Sequence, residues 1–461
     1  MSESISSRFF RFIFPFMLSL LLILGSPAKD WAKGTVWNVY PSMSREYIQA
    51  VVDSASNRDT IFFHAGTYDW SDAPLTFYWQ TIGAINIVDK SLTIRGERGT
   101  VFVGAPSVDN PPSPSKGIQA FFIKDLDCNN DVSIDGLEFR NFYTAINAWH
   151  NLNFADPMLP YECPPNLRDL TIKNCKFLDI HHYAISVGRL AGNLEIRKNE
   201  IASATIGIEI DWLITRNSSS KQTEGTRVII ADNRIKGDVA LLAYQTRNAL
   251  IQGNSFYSSG SAIVVLGTQV MAISDNYIED CGIGIELWGG IELGIEYITK
   301  GVVVKNNRLK GITQYGITLG GDRCYKNIIT KNMIKMKSGS ECAIYTVTHD
   351  NFYKQNEITG SGWFAFILCT WGGLSAHNET LLLNTVDHFG VELDGAHYIL
   401  SPGTHDNIIV GTGSKHISCI DGGTNNLIMG IPDIERSVGF DLNMVTKQKN
   451  EEPKAARNPI K

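Results

Sequence analysis

Carboxylates two residues apart recur in this sequence inside short apolar alternations. Glu209 and Asp211 stand on either side of Ile210 in Ile208-Glu209-Ile210-Asp211, and Glu392 and Asp394 flank Leu393 in the same way. Glu286 fills the corresponding place in Ile285-Glu286-Leu287. On an extended strand, side chains at i and i+2 share a face, so each pair projects together with Cα atoms roughly 6.6 Å apart at ~3.3 Å per residue. That spacing is near the lower end of the carboxylate separation used by inverting glycosidases. Trp149, Trp212, Tyr244, Trp288 and Trp371 gather at or just beyond the ends of equivalent segments. Flat rings in line with acids suit a sugar chain, whose C–H faces stack on aromatics while its hydroxyls meet carboxylates. The competing structural reading assigns the acids to a solvated face and packs the rings beneath adjoining loops.

A repeat must position these residues. Leu194-Glu195-Ile196 is followed by Asn199-Glu200-Ile201 and then by Gly207-Ile208-Glu209-Ile210. The pattern returns around Asn233, Asn254, Asn276, Asn307, Asn332, Asn356 and Asn384, with Cys175 in the Asn slot one turn earlier. The two most compact intervals, 233 to 254 and 254 to 276, are 21 and 22 residues. A period of that size with alternating apolar residues predicts a solenoid of three short strands per turn, in which stacked turns share one core. An Asn at the same bend of each turn can donate to and accept from the Asn above and below, which satisfies the bent backbone. Leucine-rich horseshoes demand Leu-x-x-Leu-x-Leu and hexapeptide helices a six-residue period; the sequence has neither.

The period-two rule turns Asn147, Ser186, Glu209, Glu286, Thr318 and Tyr345 out of the same strand on successive or nearby turns. The long departures from the minimal turn, His150 to Arg168, Leu213 to Arg227 and Gly289 to Gly301, begin just after this strand. Insertions confined to one edge of a solenoid build its binding face.

On these residues the chain resembles the right-handed parallel β-helix proteins, the pectate-lyase-like superfamily with its NosD-type members. Its opening is similar too. Ser44 caps a predicted helix carrying Ile48, Val51, Val52 and Ala55 on one face, followed by Asp59-Thr60-Ile61-Phe62-Phe63, Gly66-Thr67-Tyr68 and an early turn at Leu92-Thr93-Ile94-Arg95-Gly96. The resemblance covers roughly residues 36 to 430. It implies an all-β fold, a single-stranded right-handed parallel β-helix solenoid with an N-terminal capping helix. The expected organisation is a signal peptide over 1–28, a cap region over 29–70, the solenoid over 71–434 and a flexible tail over 435–461. In catalytic members of the superfamily the outward strand and its following loops form the polysaccharide groove. The superfamily also hosts adhesins and non-catalytic proteins, so the fold does not name a reaction.

The rest of the sequence narrows the field. With 461 residues, 43% hydrophobic, 19% charged and a net charge of -6, the chain is neither disordered nor a multi-span membrane protein. Lys+Arg 41 against Asp+Glu 47 argues against nucleic acid as a partner. Arg8 and Arg11 precede an apolar run from Phe12 to Leu24 and the small residues Ser26-Pro27-Ala28, the pattern of a secretory signal peptide. Removal of that segment leaves a secreted or periplasmic chain with no membrane span. The eight cysteines show no metal spacing. His349, His377, His388, His397, His405 and His416 crowd the last third of the chain. They are read as turn residues, as in Thr348-His349-Asp350-Asn351 and Thr404-His405-Asp406-Asn407, ahead of a metal or acid–base role. Arg234-Ile235-Lys236 mimics a polygalacturonase tripeptide, but Asp-Asp and Gly-His-Gly are missing.

The favoured expectation is an exported carbohydrate-active protein, a lyase or epimerase on an acidic polysaccharide ahead of a glycoside hydrolase. Such a reaction needs a base for the C5 proton, an acid for the leaving oxygen and a cation for the uronate carboxylate. Glu209, Asp211 and Glu286 are candidate Ca²⁺ ligands, with Arg189, Arg247 or Arg323 as base or carboxylate clamp. Glu209 and Glu286 lie three turns apart, about 14 Å at ~4.8 Å per strand, too far to share an ion without loop ligands. The alternative expectation is a non-catalytic glycan-binding or NosD-type envelope accessory protein.

Overall fold

The computed structural model describes residues 34–77, 82–105, 116–125, 129–148, 167–188, 190, 192–203, 205–211, 227–292, 295–371, 373–391, 397–411 and 417–436. The expected signal peptide and residues 437–461 of the expected tail lie outside them. Each complete turn contributes three short strands. Leu194–Arg197, Glu200–Ser203 and Ile206–Asp211 make one turn, and Val228–Ala231, Arg234–Gly237 and Val239–Tyr244 the next. The turns stack in parallel register, with Leu194 against Val228, Ile201 against Ile235 and Ile208 against Leu241. First strands join into one 16-stranded sheet, while second and third strands run together in a 25-stranded one. Alternation fixes the faces: Ile196, Ile230, Ile251, Ile273, Val304 and Ile329 are fully buried in one line down the core.

The helix is Arg45–Ser54. Ser44 accepts a hydrogen bond from the Tyr47 N–H at 3.2 Å, and Ile48 and Val52 are buried. Gln49 fixes it to the stack by bonding both backbone groups of Asn86. The solenoid is longer than the sequence reading has it. Val36–Val39 already pairs with Asp59–Phe63 inside the expected cap region, and the last strand, Asp433–Arg436, enters the expected tail. Among the described residues no helix is long and apolar enough to cross a membrane.

Asparagine holds the corner between first and second strands. The residue before each one is left-handed, for example Asp232 at φ 58°, Asp275 at φ 56° and Lys331 at φ 56°. The bend exposes backbone groups inside the stack, and the amide answers them. Asn276 Oδ1 accepts from the Asn254 N–H (3.0 Å) and Nδ2 (3.1 Å), while Asn276 Nδ2 donates to Ile251 O (2.9 Å) and Asn307 Oδ1 (2.9 Å). The same bonding runs from the Cys175 N–H to Asn384.

A second ladder at the corner after the third strand went unseen in the sequence. It runs Asn327, Asn351, Glu379, Asn407 and Asn426, each taking the backbone N–H of the residue before it. Outside it, Tyr325, His349, His377 and His405 stack face to face, with centroids 5.2, 4.9 and 4.9 Å apart. These histidines thus occupy turns, as the Thr-His-Asp-Asn strings suggest. His349 and His405 each bond the following aspartate.

Candidate functional site

The third strand of each turn presents the residues that the sequence singles out. On Ile206–Asp211, Gly207, Ile208 and Ile210 are buried, and Glu209 and Asp211 turn outward, half-buried. Hydrogen-bonded register lines up Asn147, Ser186, Glu209, Leu242, Val264, Glu286, Thr318 and Tyr345 on successive turns. The residues therefore do share one register column, but Asn147, Ser186 and Thr318 are buried on it rather than exposed, and the column divides. Asn147, Ser186 and Glu209 are neighbours; Leu242 and Val264 then separate Glu209 from Glu286.

Glu209 is the most perturbed carboxyl on this face. Burial pushes its pKa up to about 7, against the opposing hydrogen bonds of Ser186 and Tyr183. Ser186 Oγ lies 2.7 Å from Glu209 Oε2. Above them the buried Asn147 Nδ2 donates to the buried Gln119 Oε1 at 2.9 Å, which continues the polar run by one turn. Asp211 lies between Gly188 and Tyr244 in the register. Burial also raises Glu286, whose contact to Ser261 Oγ is long, at 3.4 Å. A carboxyl titrating near neutrality can give or take a proton at working pH, the property asked of a general acid or base.

Of the candidate cations, the two within the described residues, Arg247 and Arg323, do not join this group. Arg247 is exposed at the start of a first strand, Arg247–Gln252, around the corner from the outward face. Arg323 is engaged by Glu296 at 3.0 Å, on the hairpin formed by Gly290–Glu292 and Ile295–Tyr297. That hairpin is the insertion expected after Trp288. It also occupies one ring of the aromatic line, because Tyr244 and Tyr297 lie 5.1 Å apart. Trp288 is half-buried and lies across Gly320, where a Cβ would meet the ring at 1.9 Å. Both rings thus keep only part of their surface free. Trp371 ends a short strand paired with Leu374–Ser375. Trp149, Arg189, Trp212, Glu392 and Asp394 lie outside the described residues. Among the described residues no three His, Cys, Asp or Glu side chains converge to hold a metal ion.

Two other features carry polar groups, one on this face and one on another. His182 stacks on Tyr143 at 4.9 Å, and burial lowers its pKa to about 4, so it stays neutral. Around the other side, an open groove of about 1340 Å³ follows the outer face of the first-strand sheet past Thr60, Thr93, Ser133 and Thr171. Its charged lining includes Arg168, which is ion-paired with Asp131, beside this row of hydroxyls.

Two residues could not be weighted from sequence. Tyr183 reaches Glu209 only because two turns stack. Glu379 looks like any strand-flanking acid, and its burial depends on the second ladder.

The family model for the right-handed β-helix region matches residues 213–386. No curated protein matches the sequence. Solved structures similar to the chain include the A-module of a mannuronan C-5 epimerase from Azotobacter vinelandii, at 14% identity over 85% of this chain and 93% of that one, with TM-score 0.42. A family 28 exopolygalacturonase from Yersinia enterocolitica is similar at 13% over 82% and 78%, with TM-score 0.46. A surface protein and adhesin of Streptococcus pneumoniae is similar at 13% over 77% and 94%, with TM-score 0.40. These three do different things. With parallel ladders extending on both sides of the matched segment, from Val36 to Arg436, the chain is a right-handed parallel β-helix protein.

Proposed function

We propose that the protein is an exported carbohydrate-active β-helix, a lyase or epimerase acting on an acidic polysaccharide, with Glu209 as its acid–base residue. The observation that carries this reading is the outward Glu209 carboxyl, raised to about 7 and bonded to Ser186 in a polar run with Asn147. In the ionised state Glu209 takes the proton from the carbon next to the uronate carboxylate. Expulsion of the neighbouring glycosidic oxygen, which takes up a proton from water, then completes elimination, whereas delivery of a proton from water to the opposite face completes epimerisation and leaves Glu209 to release its own to solvent. Asp211 faces the same side, and Arg189, one residue past Gly188, is the candidate clamp for the substrate carboxylate. Trp288 and Tyr244 extend the surface along the sugar chain.

A specific observation favours the second reading, a non-catalytic glycan-binding or envelope accessory protein. Leu242 and Val264 interrupt the acids, and among the described residues no cation contributes to the environment of Glu209.

The test is a screen of acidic polysaccharides, with and without calcium, that follows unsaturated-uronate absorbance, reducing ends and C5 configuration by NMR. The first reading expects product formation that Glu209→Gln lowers at least about a hundredfold. Retention of a glycan with no turnover in any channel would support the second reading and overturn the first.

A further inference from the structure

The second strands present a face of their own, around the corner from Glu209. Each buries its central residue and turns the two flanking ones outward, as in Arg308-Leu309-Lys310 and Met333-Ile334-Lys335. Register puts Arg234, Ser255, Tyr277, Arg308 and Met333 in one outward column. Lys236, Tyr257, Glu279, Lys310 and Lys335 form the other. Over these five turns, about 19 Å at ~4.8 Å per strand, the face sets five cations against one carboxylate, in a chain of net charge -6. Glu200 precedes Arg234 in register and Glu357 follows Met333, so the run has an acid at each end. The corners grade it. Exposed Asp232, Asp238, Asp275 and Asp280 flank the first turns, whereas Lys305, Lys331 and Lys337 flank the last two, where 305–314 and 331–339 contain no acid. Internal pairing uses few of the cations. Lys310 bonds Glu279 at 2.6 Å, and Arg234 lies 5.2 Å from the centre of the Tyr257 ring. Glu279 also feels Arg308, though less than Lys310. Among the described residues no carboxylate forms an ion pair with Lys236, Arg308 or Lys335, all three exposed. Tyr257 and Tyr277 stand half-buried between the two groups of cations.

We propose that this face is a second binding track for an acidic polysaccharide, separate from the surface that carries Glu209. It rests on the proposed function only for the class of ligand, and needs no catalysis. The cations are spread over successive turns, so a linear polyanion meets several of them at once, which a compact anion cannot do. The tyrosines between them offer ring surface to the C–H faces of a sugar. Two other polyanions fit less well. Duplex nucleic acid, with a charge every ~1.7 Å, would lie against the four corner aspartates. An anionic lipid surface favours apolar side chains that enter it, and Met333 is the one large apolar residue exposed in either column.

The test is retention of the protein by immobilised alginate and polygalacturonate, read as a dissociation constant over a range of salt. Retention should weaken as salt rises. Arg308→Glu with Lys335→Glu, both exposed and outside the core, should weaken it at least about tenfold at low salt. Arg308→Lys with Lys335→Arg keeps the charges and should bind like the native protein. Arg95→Glu with Arg98→Glu alters net charge by the same amount at exposed positions many turns away, and should change retention by less than about twofold. Retention of neither polysaccharide, retention indifferent to the Arg308 and Lys335 reversal, or an equal loss in the Arg95 and Arg98 pair would overturn the proposal. So would tighter binding to phosphatidylglycerol vesicles or to duplex DNA than to either glycan. Absent turnover with retention that still falls in the Arg308 and Lys335 reversal would remove the proposed catalysis and leave this track standing.

Discussion

Two carboxyls in this solenoid, Glu209 and Glu379, are both driven by burial to a pKa of about 7, yet they stand in opposite relations to the fold. Glu379 is fully enclosed. It replaces an asparagine in the corner ladder, and its oxygens accept from the Asn351 N–H (3.0 Å), Asn351 Nδ2 (3.0 Å), Thr348 Oγ1 (3.1 Å) and Thr346 Oγ1 (3.3 Å). Every one of those bonds serves the turn. Glu209 has hydroxyl partners and sits on the outward face of a strand whose inward face is already complete. Displacement of a pKa therefore marks a tense position, and only its direction of access separates structure from chemistry.

The comparison breaks most visibly at the ladders. Asn276→Ala removes the acceptor of two Asn254 donors and the donor to Ile251 O. A loss of about 4 kcal/mol in denaturant unfolding is expected, since each buried polar group left unpaired costs about 1–3 kcal/mol. A loss under 1 kcal/mol would show that the corner does not need its amide.

Glu379→Gln sharpens the contrast through pH. The Glu379 pKa in the folded chain lies above its unfolded value, so the folded state binds the extra proton. Its stabilising contribution is complete below about 4.5 and disappears as pH rises through about 7. The native protein should lose roughly 3 kcal/mol across that window, at 1.36 kcal/mol per pKa unit, beyond what Glu379→Gln loses. Parallel stability curves for the two would remove Glu379 as a buried acid.

His377→Ala probes the outer layer of the same corner. The ring stacks between His349 and His405, and its Nδ1 bonds the Ser375 carbonyl at 2.8 Å. A cost of about 1 kcal/mol is expected from calorimetry, in the range of aromatic pairs. Glu286→Ala should change stability least, by under about 0.5 kcal/mol, because an outward acid with a 3.4 Å contact to Ser261 leaves no buried partner stranded.

The first ladder was legible because an amide is the group that answers both donor and acceptor demands of a repeated bend, so Asn254, Asn276 and Asn307 announce a stack. The outward column was legible from alternation alone, as was the gap between Glu209 and Glu286. The second ladder was hidden because Glu379 breaks the Asn pattern and the intervals carry His and Tyr outside it. The pairing of Arg323 with Glu296 depends on a hairpin that only the folded insertion creates. The apolar outward residues of the first strands were concealed by their own composition: in Leu250-Ile251 and Ile328-Ile329 both inward and outward residues are apolar, so alternation is silent about which face is which.

The most direct test of the account replaces one atom of one side chain. Glu209→Gln keeps the shape and the Ser186 contact and removes the titrating proton. Assayed on an acidic polysaccharide that the native protein converts, the variant should retain native unfolding behaviour and glycan retention while turnover falls at least about a hundredfold, the usual contribution of a general acid or base. Undiminished turnover in a folded Glu209→Gln protein would contradict the claim that this outward carboxyl carries the chemistry.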